Sequence, residues 1–183
     1  MISTEYQTDR LSLRVLNEAD TALVLSFYEH GAAEFSRYEP LDPLLAQRFD
    51  FQKKVLHAEY QAFIHGQMLR FFLFLKNNPM QIIGTLSYRS ILHGAYQSCQ
   101  IGYKMDDRFR RQGYCSEAIA FSDQLVHRTL SIHRIFALVQ PDNLPSSRML
   151  TGLGYQREGL VRDAIFLDGA WHDHEQYARI FRD

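Results

Sequence analysis

Two cysteines, Cys99 and Cys115, are too few to build a disulfide framework in a chain of 183 residues. A formal net charge of −1 leaves no global basic field of the kind that favours nucleic acid. No apolar run approaches the length of a membrane span. The first residues, Met1-Ile2-Ser3-Thr4-Glu5, lack the charged leader and apolar stretch of a secretory signal. The chain has no repeat, linker or low-complexity segment, and neither Gly-x-Gly-x-x-Gly nor Gly-Lys-Ser/Thr occurs. His172 and His174 share a face if their segment is a strand, but no cysteine or third ligand stands at metal-site spacing. These absences argue against a disulfide scaffold, a membrane protein, a dinucleotide or nucleoside-triphosphate enzyme and a metal centre. They predict a cytoplasmic protein with no metal, nucleic-acid or membrane partner. The length predicts one domain over residues 1–183, and a composition 46% hydrophobic and 22% charged is ordinary for a globular protein.

What is present is a chain of alternating and helical periods. Leu11, Leu13 and Val15 alternate with Arg10, Ser12 and Arg14, predicting a half-exposed first strand. Asn17 is placed to cap a helix with Ala19, Leu23 and Phe27 on one face. Phe35 to Pro43 reads as a loop, and Phe51, Val55, Ala58 and Ala62 mark a second, longer helix. Strands are predicted over Leu69 to Leu75, ended by Asn77-Asn78-Pro79, and over Gln81 to Ile91, turned back by His93-Gly94-Ala95. Cys99, Ile101, Tyr103 and Met105 alternate with Ser98, Gln100, Gly102 and Lys104, and Gly102 inside that strand suggests a bulge or a close ligand approach. Ala118, Ser122, Leu125, Val126 and Thr129 recur at helical spacing. Ile135 to Val139 is apolar throughout, as buried parallel strands are. A short helix over Pro145 to Leu153 and a hairpin turning at Asp168-Gly169 complete the pattern, which suits a mixed sheet flanked by helices.

Between the strand at Cys99 and the helix at Ala118 lies Arg110-Arg111-Gln112-Gly113-Tyr114-Cys115-Ser116. Gly113 permits a turn that a β-carbon hinders, so the amides of Arg111 to Ser116 can point inward as an anion nest at a helix N-terminus. Arg108, Arg110 and Arg111 beside it read as neutralisers of cofactor phosphates, the alternative being a solvated basic cluster.

This segment resembles the Arg/Gln-x-x-Gly-x-Gly/Ala motif of the GNAT superfamily of acyl-CoA N-acyltransferases. Arg110, Gly113 and Cys115 hold its fixed positions, and Cys115 departs from the usual Gly or Ala. Asn143-Leu144-Pro145-Ser146 followed by Gly152-Leu153-Gly154-Tyr155 is similar to the family's Asn-x-x-Ser segment and Leu-Gly-Phe/Tyr turn. The end of the chain, from Glu158-Gly159 through Trp171-His172-Asp173-His174 to Ile180, looks like the RimJ/RimL branch, which acetylates protein N-termini. The resemblance implies an α/β (α+β) GNAT fold, a mixed sheet of about six to seven strands with about four helices. It implies acetyl-CoA as cosubstrate, with its pyrophosphate on Arg110, Arg111, Gln112, Gly113, Tyr114, Cys115 and Ser116. By the same resemblance the backbone of Tyr103, Lys104 and Met105 pairs with the pantetheine arm, Asn143 binds that arm, and Ser146 protonates the leaving thiolate.

The general base is not legible. The branch's glutamate on the strand before the last hairpin corresponds here to Ile165. Glu39, in a Tyr38-Glu39-Pro40 segment similar to one of RimJ-like chains, is the candidate to bind or deprotonate the acceptor amine, with His93 and His174 behind it. Asn143 and Ser146 could also be mere cap residues, Cys115 at a helix start could be a nucleophile or inert, and Tyr155 reads as core. The expected acceptor is a protein α-amine of the ribosomal-protein type, and the expected assembly a monomer or homodimer. A small-molecule amine acetyltransferase and a non-catalytic acyl-CoA-binding module stay open as alternatives.

Overall fold

The computed structural model describes residues 2–40 and 42–182. Its strands are β1 (Glu5–Gln7), β2 (Leu11–Arg14), β3 (Leu69–Leu75), β4 (Asn78–Leu92), β5 (Ser98–Met105), β6 (Arg134–Val139), β7 (Gln156–Leu167) and β8 (Ala170–Ile180). Its helices are α1 (Thr21–Phe35), α2 (Pro43–Ala46), α3 (Phe49–Ile64), α4 (Tyr114–Leu130) and α5 (Leu144–Gly152). All strands join one sheet in the order β1-β2-β3-β4-β5-β6-β8-β7. Among the described residues only β5 and β6 run parallel, joined by a crossover through α4.

The sheet has eight strands where six to seven were expected. The addition is β1, three residues long and too short to display a period. The extra helix, α2, lies in the segment read as a Phe35 to Pro43 loop and just after it. Asp42 caps it and Pro43 occupies its first turn, where a missing N–H costs nothing. Leu41 of that segment, and Met1 of the amino-terminal segment, lie outside the described residues.

β3 explains why the sheet has a core on each side. Leu69, Phe71 and Leu73 pack with α4-side residues such as Ile119 and Val126, while Phe72 and Phe74 pack against Val24, Phe27 and Phe35 of α1. β2 is covered on both faces as well. Leu11 and Leu13 are in the core and Ser12 is buried, its hydroxyl bonded to Glu5 and Arg14, so the expected exposed face is not found. Asn17 does cap, through a capping box with Asp20 over a single 3₁₀ turn that runs into α1. The buried stripe of α1 is Val24, Phe27, Tyr28 and Phe35, with Ala19 exposed, because that turn shifts the phase of the helix.

The turns follow local chemistry. β3 and β4 are joined at Lys76-Asn77, with Asn78 and Pro79 already in β4, and β4 turns back at Gly94-Ala95. Asp168 and Gly169 have φ of 49° and 81°, the two positive values that close a tight two-residue hairpin between β7 and β8. Gly102 sits in an unbroken register between β4 and β5, so no bulge forms there; the irregularity lies near Ser90 (φ 50°) instead.

Candidate active site

β5 and β6 pair only over Ser98–Gln100 with Arg134–Phe136. Beyond Gln100 they part, because β6 stays in full register with β8 while β5 stays with β4. The result is a slot through the sheet at Ile101 to Lys104 on one side and Ala137 to Gln140 on the other, opening into a cavity of about 310 Å³. Side chains alternate across a strand. Tyr103 therefore serves one face of the slot, and Gly102 and Lys104 the other.

On the Tyr103 face, the tyrosine hydroxyl lies 2.6 Å from Ser146 Oγ at the start of α5. Burial pushes the Tyr103 phenol up, against the Ser146 hydrogen bond that lowers it, so it stays protonated at neutral pH. Asn143 is the α5 cap: its Oδ1 accepts from Ser146 N at 3.3 Å. Capping thus fixes the backbone of Ser146 and leaves its hydroxyl directed at Tyr103. Both residues line the cavity.

β5 leads into the loop. Arg111 and Gly113 have φ of 58° and 79°, and this pair of left-handed residues turns successive amides inward. The amides of Arg111, Gln112, Gly113, Tyr114, Cys115 and Ser116 donate to no acceptor among the described residues; the first to do so is Glu117, to Gly113 O at 3.0 Å. Those six free donors stand at the positive end of α4. The loop is braced from outside. Arg10 donates to Gln112 O (2.9 Å) and to Glu117 (2.6 Å), and Thr8 also bonds Glu117. Burial raises the Glu117 carboxyl, but these donors outweigh it and hold it below the ordinary value.

The arginines divide. Arg108 clamps Asp106 (2.9 Å), and Arg110 is ion-paired to Glu34 and donates to Met105 O at 3.1 and 3.2 Å. Neither is a spare charge, and the Met105 carbonyl is taken. Arg111 alone of the three makes no ion pair among the described residues. Burial pushes the Cys115 thiol up to about 12, so it stays a thiol at neutral pH, and the side chain packs against the core.

On the Lys104 face the sheet is polar. Arg70 of β3 donates to Glu59 of α3 (2.7 and 2.9 Å), to Tyr28 of α1 (2.9 Å) and to Thr85 of β4 (2.9 Å). Lys104 donates to the same Tyr28 oxygen at 3.1 Å and is ion-paired to Glu39. Burial raises the Tyr28 phenol, yet the two cations outweigh it and the net shift is downward. Glu39 is thus brought to the cavity, tied to a lysine. His174, 2% exposed, and Ile165 line the same cavity; His93 is exposed and away from it.

Sequence reasoning missed several of these residues. It valued Tyr103 and Lys104 for their backbone only, and it did not find Arg70, Glu59, Tyr28 or Arg89. The polar half of the β5 alternation was the one available signal. It also missed the core carboxylate Asp123, fully buried on α4, which accepts from Tyr88 (2.7 Å), Tyr155 (2.9 Å) and Arg179 (3.4 Å). Tyr155 is core, as read.

Comparison with known proteins gives the family. The chain is 27% identical over 173 residues to the ribosomal protein uS5-alanine N-acetyltransferase of Escherichia coli, covering 91% of this chain and 86% of that one. The fold matches the ribosomal-protein-S5-alanine acetyltransferase of Vibrio fischeri with a TM-score of 0.90 at 22% identity over 97% of both chains. It matches Mycobacterium smegmatis RimJ, solved with a CoA disulfide, at a TM-score of 0.86 and 26% identity over 93% of this chain and 81% of that one. The acetyltransferase (GNAT) domain family matches residues 10–156, so this chain belongs to the GNAT family and is an N-acetyltransferase of the RimJ/RimL branch.

Proposed function

We propose that this enzyme transfers an acetyl group from acetyl-CoA directly to the α-amine of a protein, with a ribosomal protein as the expected kind, and that it works as one cytoplasmic domain over residues 1–183. The observation that carries the reading is the row of six unbonded amides from Arg111 to Ser116 at the start of α4. A pyrophosphate is the ligand such a row fits. The names of similar proteins support it: one acetylates a ribosomal alanine and another was solved with a CoA disulfide.

Acetyl-CoA supplies the activated acetyl group as a thioester. The chain's own residues do the rest. Arg111 adds charge at the phosphates. The edge of β5 from Ile101 onward, unpaired where β6 departs, offers Tyr103 and Lys104 backbone groups to the pantetheine amides. The free edge of the slot also supplies N–H dipoles for the polarised carbonyl. Ser146 donates its hydroxyl proton to the departing thiolate and takes one back from solvent, while the Tyr103 hydroxyl, which keeps its proton at neutral pH, holds the Ser146 oxygen by a hydrogen bond. On the opposite face Glu39, held by Lys104, receives the hydrogen bonds or, through water, the proton of the amine.

The α-amine fits a site whose carboxylates are already paired. Its reference pKa is near 7.7–8.0 against about 10.4 for lysine, so part of it is neutral without a strong base. The test uses matched peptides, one with a free N-terminus and no lysine, the other N-blocked with a single lysine, followed by thiol release from acetyl-CoA. The first should react faster. Preference for the blocked peptide overturns the α-amine, and reaction with neither moves the acceptor to a small amine.

A further inference from the structure

The charges around the acceptor side of the cavity do not cancel. Two carboxylates line it, Glu39 and Glu59, and each is bound to its own cation, Lys104 and Arg70. Lys104 also donates to Tyr28, and Arg70 places its remaining donors on Tyr28 and Thr85, so both cations are engaged. Arg89 is left. It lines the same cavity, and its side chain makes no hydrogen bond or ion pair among the described residues.

Arg89 is also given room at the slot. It pairs with Gln100 across β4 and β5, and its side chain leans along β5 toward Gly102. A β-carbon at Gly102 would lie 2.9 Å from Arg89 Nη2. The absent side chain at Gly102 therefore admits a guanidinium rather than a bulge. Gly102 is two residues past the last β5–β6 pair, so this cation stands at the mouth of the slot on the acceptor face.

We propose that Arg89 is a specificity residue that binds a carboxylate on the acceptor, and that the preferred acceptor is an N-terminal segment with Asp or Glu at its second or third residue. This rests on the α-amine reading above. A planar guanidinium pairs a carboxylate through two parallel hydrogen bonds. The same unbalanced positive charge disfavours a lysine-rich segment or a polyamine, whose extra ammonium groups would meet it with no free carboxylate nearby.

The experiment compares C-amidated peptides that start with alanine and carry Asp, Asn or Lys at the second or the third position and no other charge. Values of kcat/KM are taken for the native enzyme, Arg89→Gln and Arg89→Glu, with melting curves to confirm that each variant is folded. The native enzyme should favour Asp over Asn by about tenfold and over Lys by more. Arg89→Gln should bring the Asp-to-Asn ratio close to one, and Arg89→Glu should turn the order toward Lys. Gly102→Ala, which presses a methyl on Nη2, should lower the ratio without removing it. Equal use of all peptides by the native enzyme, or an Asp preference that survives in both Arg89 variants, overturns the proposal and leaves the α-amine reading intact. Reaction with none of the peptides, while the N-blocked lysine peptide is acetylated, overturns both.

Discussion

The two faces of the slot hold charge in opposite ways. On the face proposed for the cofactor, the groups offered to an anion are backbone: six amides turned by two left-handed residues, with the nearby arginines largely spent on Glu34, Met105 and Asp106. On the acceptor face charge is met by side chains from α1, α3, β3 and β5, with the loop residue Glu39, in a chain running Glu59–Arg70–Tyr28–Lys104–Glu39. The first arrangement is made by one contiguous segment. The second exists only when elements far apart in the chain have packed. Backbone dipoles suit a phosphate that every substrate cycle brings, whereas a side-chain network can be altered one residue at a time to suit an acceptor.

The largest break in this comparison should come from Arg70→Met. It leaves Glu59 and Tyr28 without their cation in a largely buried setting, and removing one partner of such a pair costs roughly 3–5 kcal/mol. Urea unfolding should show the loss. A loss below about 1 kcal/mol would mean that the network is solvated and carries little.

Next is Asp123, buried behind the cofactor face. Burial pushes its carboxyl up to about 6 from 3.8, against the donors Tyr88, Tyr155 and Arg179. A raised carboxyl favours the fold fully below pH 3.8, and that contribution is lost as pH rises through about 6, a change of roughly 3 kcal/mol for a shift of this size. Asp123→Asn should abolish the slope, so its stability relative to the native chain should rise from pH 4 to pH 7. Glu158, held at about 2 chiefly by Arg134, acts in the other sense: its contribution is full above pH 4.5 and is lost as pH falls toward 2, equally in both chains. A stability difference that stays flat from pH 4 to pH 7 would contradict the role given to Asp123.

Ser146→Ala separates chemistry from capping. As proton donor, Ser146 should be worth roughly 10²-fold in turnover, with acetyl-CoA affinity little changed because the cap bond uses the Ser146 amide and not its hydroxyl. Normal turnover would reduce the residue to a helix start. Gly113→Val should have the smallest effect on the reaction, at least tenfold in acetyl-CoA affinity or about 1.4 kcal/mol. A β-branched residue is strained at a φ of 79°, and its Cβ would press on Arg10 Nη2 at 3.2 Å. Calorimetry on the folded variant checks this, and unchanged affinity would remove the loop from the cofactor site.

Much of the fold could be read in the chain, element by element. β3 has the expected bounds, and the β5 alternation is the one observed, with Cys99, Ile101 and Met105 buried and Gly102 and Lys104 toward the cavity. What misled was short or two-sided. β1 has three residues and α2 four, too few to show a period. β2 alternates in polarity yet is covered on both faces, because Ser12 satisfies its hydroxyl within the sheet. Gly102 suggests a bulge or a close ligand approach, whereas the register there is unbroken and the group lying against it is the side chain of Arg89.

The sequence by itself determined the left-handed turn at Gly113, the helix start behind it, the Asn143 cap that orients Ser146 and the turn at Asp168-Gly169. Each depends on residues within a few positions of one another, where φ preferences and capping act. Tertiary structure alone decided the width of the slot, which arises because β5 and β6 obey different neighbours, and the company kept by Glu39, which Lys104 reaches across 65 positions. It also decided that Arg110 is spent on Glu34, 76 positions away, and that Arg89 is not spent at all. Those outcomes follow from which side chains the packed sheet brings within hydrogen-bond range, a property of the whole chain and of no segment in it.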